Sequence, residues 1–92
     1  MNIIWSDTAL SSYLSIIDYL YEQWTQREVI NFQNRVNELL DNLTKTPFIG
    51  KPSQILPYRK YVLSKQTSLI YSVNNDTIIL VTFLSNYTNH TF

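Results

Sequence analysis

The sequence predicts an α+β fold, with an N-terminal strand and a helical hairpin packed on one face of a small, mainly antiparallel sheet. Three observations predict it. Two successive apolar stripes at helical spacing fill residues 10–43. Runs rich in Val, Ile, Tyr and Phe follow between 58 and 84. The lone glycine, Gly50, and all three prolines fall between 47 and 57, so the strongest punctuation separates the helical part from the β part.

Residues 2–5 (NIIW) form a short β-prone run, and Ser6-Asp7 supplies a helix N-cap. The first helix carries Leu10, Tyr13, Leu14, Ile17, Leu20, Tyr21 and Trp24 on one face, which leaves Ile16 and Tyr19 beside the stripe. Thr25-Gln26-Arg27-Glu28 fits a capping box and starts a second helix. Its stripe is Val29, Phe32, Val36, Leu39, Leu40 and Leu43, and Pro47 closes the region. Almost no loop separates the helices, so they must fold back as an antiparallel hairpin. Residues 45–57 read as an irregular connection. Strands are expected at 58–64, 68–73 and 77–84, the last nearly all apolar. In the first of these, Tyr58, Lys60, Val62 and Ser64 point one way, and Arg59, Tyr61 and Leu63 the other. Asn74-Asn75-Asp76 makes the last turn, because Asn and Asp tolerate positive φ.

Ninety-two residues suit one domain spanning 1–92. A chain this short buries a modest core, so a partner that covers apolar surface adds to its stability. There is no cysteine, which excludes a disulfide framework and a thiolate metal site. The carboxylates show no metal-ligand spacing, and neither a metal nor a cofactor is expected. The first residues lack the pattern of a signal peptide, and no apolar run approaches the ~20 residues that span a membrane. Triplets such as Asn42-Leu43-Thr44 and Asn89-His90-Thr91 are therefore read as ordinary polar residues. Net charge is zero but uneven. Residues 1–44 hold two cations and six carboxylates, while 45–92 hold five cations and one carboxylate. Such a split suits a second half that faces a negatively charged partner.

In this order, IIWSDTAL, LLDNLTKTPFIGKP, RKYVLSK, SLIYSV, NND and TIILVTF make the chain resemble the RelE/ParE toxin superfamily of type II toxin–antitoxin modules, most closely its ParE-like branch. The resemblance covers nearly the whole chain. It implies a small cytoplasmic toxin, neutralised by a cognate antitoxin that lays an extended or helical segment across it. ParE-like members of the superfamily inhibit DNA gyrase without cutting nucleic acid, whereas RelE-like members cleave mRNA in the ribosome.

Cleavage by attack of a ribose 2′-hydroxyl needs a clamp for the phosphate and groups that move protons. RelE-like enzymes use sheet lysines and arginines for this, with a tyrosine or histidine near the C-terminus. Ser68 stands where the resemblance leads one to expect an arginine, and serine lacks the guanidinium fork. Arg59, Tyr87 and His90 are the remaining catalytic candidates, and Lys51, Arg59, Lys60 and Lys65 the candidate target contacts. Tyr61 and Tyr71 read as packing residues with solvated hydroxyls, and Trp5 and Trp24 as core or antitoxin contacts. Ile16, Tyr19 and Ile30 are the expected antitoxin contacts. The leading expectation is a ParE-like toxin that acts by binding its target, with gyrase as the possible target. The alternatives are a ribosome-dependent mRNA endonuclease and a degenerate toxin retained for antitoxin binding.

Overall fold

The computed structural model describes residues 1–85. Strand β1 (Asn2–Trp5) leads through Ser6 into helix α1 (Asp7–Gln23), and helix α2 (Gln26–Lys45) follows directly. The sheet is completed by β2 (Lys51–Pro52), β3 (Arg59–Val62), β4 (Thr67–Asn74) and β5 (Thr77–Ser85). Strand order is β1-β5-β4-β3-β2, and β1 lies parallel to β5 while the other pairs are antiparallel. The expected α+β architecture is present, with the short edge strand β2 added inside the segment read as irregular.

The second helix follows its sequence stripe. Val29, Phe32, Val36, Leu39 and Leu43 are buried, and Leu40 packs against them. Its start differs from expectation. Thr25 is the N-cap, but its side chain makes no capping hydrogen bond, and its carbonyl instead accepts from the Glu28 and Val29 amides.

The first helix requires a larger correction. Its buried residues are Ala9, Ile16 and Leu20, with Tyr13, Ile17 and Tyr19 packed beside them. Leu10, Leu14, Tyr21 and Trp24 are each about half exposed or more. Ile16 is therefore core and cannot contact a partner directly, and Tyr19 leans on the core. The cause is a doubled pattern. Positions 9, 13, 16 and 20 and positions 10, 14, 17, 21 and 24 both repeat at helical spacing, and the core takes the first set and, of the second, only Ile17 in part. Trp5, Tyr13, Phe32 and Phe83 join the elements through ring contacts of 5.3 to 5.7 Å.

Strand β5 changes face midway. Ile70 pairs with Thr82 and Tyr71 with Leu80, so Val81 is an extra residue in the ladder. The bulge lets both Leu80 and Phe83 enter the core beneath the helices. Strand β1 pairs only with residues 77–80 of β5. Beyond that point Ser6, the N-cap of α1, and Ser12 within the helix complete the exposed edge. The Ser6 hydroxyl donates to the Val81 carbonyl (2.8 Å) and accepts from the Ala9 amide (2.9 Å). The Ser12 hydroxyl accepts from the Phe83 amide (2.9 Å) and donates to the Ala9 carbonyl (3.0 Å). Backbone groups at a strand edge are thus satisfied by a helix rather than left to template another strand. At the other end of β5, Asn75 adopts φ 55° in the tight turn from β4, as the Asn-Asn-Asp sequence predicts.

Candidate functional site

Cross-strand register sorts the sheet residues by face, because directly paired residues project to the same side. One face meets the helices through the rows Arg59–Tyr71–Leu80–Trp5 and Tyr61–Leu69–Phe83. The opposite face carries Lys51–Lys60–Ile70–Thr82, Val62–Ser68–Leu84 and Ser72–Ile79–Ile4. Lys60 and Arg59 thus lie on opposite faces, as strand alternation requires. Lys51 and Lys60 are cross-strand neighbours on the face away from the helices. Ser68 sits between Val62 and Leu84 there. These rows contain no carboxylate and no imidazole.

Arg59 has a different task from the one its charge suggests. Its Nε donates to the Gly50 carbonyl (2.9 Å) and its Nη2 to the Phe48 carbonyl (3.2 Å). The guanidinium carbon lies 5.3 Å from the centre of the Phe48 ring, a cation–π distance. Tyr71 meets the same segment from the sheet. Its hydroxyl accepts from the Gly50 amide (2.9 Å) and donates to the Pro47 carbonyl (2.8 Å). Tyr71 is fully buried, so this pairing removes the cost of an orphaned hydroxyl. Glycine is required at position 50 for space. A Cβ there would stand 2.7 Å from the Tyr71 hydroxyl, 2.8 Å from its ring and 2.9 Å from the Lys60 carbonyl.

The segment held this way presents apolar groups to solvent. Phe48, Ile49, Ile55 and Leu56 are all exposed, with Leu56 the most open at 75%. Its tip is closed on itself, since the Ser53 amide donates to the Tyr58 carbonyl and the Tyr58 amide to the Ile55 carbonyl. Elsewhere, Arg35 of α2 donates to the Leu63 carbonyl (3.1 Å) beside a groove lined by Asn31, Asn34, Glu38 and Tyr61. That groove mixes amides with a carboxylate and forms no phosphate cradle. Among the described residues no group of three or more His, Cys, Asp or Glu side chains could hold a metal ion.

A sequence model described as "ParE toxin of type II toxin-antitoxin system, parDE" matches residues 3–86. The chain belongs to the ParE toxin family. It is accordingly the toxin component of a type II toxin–antitoxin module. Toxin YoeB of Escherichia coli K12 is 25% identical to this ParE-family chain over 93 residues, spanning 95% of this chain and 100% of that protein. The fold is shared with a chain of the chromosomal ParDE system of P. aeruginosa, at TM-score 0.80 and 17% identity over 92% of this chain and 95% of that one. It is shared also with a chain of the YoeB–YefM complex of Staphylococcus aureus, at TM-score 0.61 and 19% identity over 91% and 94% of the two chains.

Of the expected target contacts of this ParE-family toxin, Lys51 and Lys60 come together, Arg59 is engaged by residues 48–50, and Lys65 lies in the turn between β3 and β4. Tyr87 and His90 lie outside the described residues. Of the expected antitoxin contacts, Ile30 is exposed on α2, whereas Ile16 is buried. Sequence reasoning missed the structural pairing of Tyr71 with Gly50 and the exposed apolar set of the connector. A usable signal was present in the second, since four large apolar residues are interleaved with the only glycine and the three prolines.

Proposed function

We propose that this toxin is held by a cognate antitoxin and acts by binding a protein target, DNA gyrase being the first candidate, rather than by cutting RNA. One observation carries the reading. Arg59, the only arginine of the β part, spends two donors on backbone carbonyls and its guanidinium face on Phe48. A phosphate clamp needs that fork free. Ser68 on the face away from the helices supports the same reading, because it stands between two aliphatic residues with no cation in its row.

The cleaving alternative retains one supporting feature, the Lys51–Lys60 pair on the face away from the helices. Purified toxin separates the two. The binding reading expects inhibition of gyrase supercoiling while ribosome-associated transcripts stay intact. Intact supercoiling together with ribosome-dependent cleavage would reverse the assignment.

The antitoxin contact moves from Ile16 to the outer stripe of α1, which is Leu10, Leu14, Tyr21 and Trp24, with Ile30 from α2 as a further exposed contact. Exposed apolar residues at this spacing suit an amphipathic helix laid along α1.

A further inference from the structure

We propose that residues 46–58 form a preorganised docking tongue for a folded protein target, and that its occupant is an acidic surface with an apolar pocket. The inference rests on the binding reading above and gives that reading a surface.

Phe48, Ile49, Ile55 and Leu56 expose between 46% and 75% of their surface. All four belong to one connector whose backbone is fixed from the sheet. Tyr71 holds Pro47 and Gly50, and Arg59 holds Phe48 and Gly50. Ser53 and Tyr58 close the far end by backbone hydrogen bonds. Large apolar groups on fixed backbone are the usual anchors of an interface, since much of the ordering cost is met before binding. In this arrangement Arg59 is a positioning residue, and the contacts are made by the side chains it positions.

Charge specifies the partner. Between Asp41 and Asp76 the chain has five cations and no carboxylate. Lys45 borders the hollow formed with Pro47, Phe48 and Ile49. Lys51 stands beside Lys60 where β2 pairs with β3 at the base of the tongue. A complementary surface therefore carries carboxylates around a pocket that accepts aliphatic or aromatic groups. A nucleic acid would match the lysines and can stack on Phe48, but Ile49, Ile55 and Leu56 are aliphatic and lack the aromatic face on which bases stack. Those three residues favour a protein.

The test uses the full chain carrying Phe48→Ser together with Leu56→Ser, with purified DNA gyrase as the probe. The double variant is expected to lose about tenfold or more in affinity for gyrase and to relieve growth arrest. Its melting temperature should fall by no more than about 8 °C, the share of the lost Arg59–Phe48 ring contact, because both side chains are otherwise largely exposed, and its binding to the co-encoded antitoxin should persist. Gyrase affinity and growth arrest equal to wild type would overturn the docking tongue and leave the binding reading in place. Transcript cleavage by the wild-type chain would overturn the binding reading itself, and the tongue with it. So would a wild-type chain that neither arrests growth nor binds gyrase. Loss of binding to a single-stranded RNA probe in the double variant, with gyrase affinity retained, would make the segment a nucleic-acid surface and overturn its assignment to a protein.

Discussion

Replacing Tyr71 by phenylalanine removes one oxygen and leaves the buried ring in place. That oxygen accepts from the Gly50 amide at 2.9 Å and donates to the Pro47 carbonyl at 2.8 Å. Gly50 is buried, so its amide would lose its partner without gaining water. An unsatisfied buried donor costs ~1–3 kcal/mol, and the Pro47 bond adds roughly 0.5–1.5 kcal/mol more. Because Pro47 is partly open, water replaces some of the second bond, and the expected loss is about 2 kcal/mol. For a domain of this size each kcal/mol shifts the melting temperature by ~4–8 °C, so the variant should melt roughly 8–16 °C lower. Thermal unfolding followed by circular dichroism measures the shift, and amide exchange at Gly50 localises it. A melting temperature within about 2 °C of wild type, with Gly50 still protected, would refute the view that Tyr71 holds the connector.

Three further substitutions have definite expected outcomes. Gly50→Ala forces a methyl against Tyr71 and the Lys60 carbonyl and should cost about 1–3 kcal/mol in denaturant unfolding, although alanine ordinarily stiffens a loop favourably. Ser12→Ala strips the Phe83 amide of its acceptor and should cost ~1–2 kcal/mol, with faster exchange at Phe83. Leu14→Ser, at an exposed position, should leave the melting temperature of the free toxin nearly unchanged and weaken antitoxin binding about tenfold, as read by titration calorimetry.

Legibility in the sequence tracked how one-sided each pattern was. Helix α2 has one apolar stripe, with Ile30 the one large apolar residue off it, and every residue of that stripe packs inward. Helix α1 has two adjacent stripes, and only the location of the sheet decides that Ile16 is core and Leu14 is surface. Alternation correctly divided Arg59 from Lys60, since β3 runs without a bulge. In β5 the same reasoning fails at Val81, because one extra residue reverses the faces and no residue type in TIILVTFL marks where it falls. Arg59 was legible as a charge but not as a strut. Its partners are the backbone carbonyls of residues 48 and 50, and their approach depends on how the connector folds back. Tyr71 was correctly read as a packing residue, but its hydroxyl is paired with Gly50 and Pro47 rather than solvated.

The most direct test is transcript integrity in a translating system of purified ribosomes after addition of the purified toxin. The account predicts full-length transcript at toxin concentrations that arrest growth. Cleavage of ribosome-bound transcript by the wild-type chain, abolished by Lys51→Ala and Lys60→Ala in combination, would contradict it.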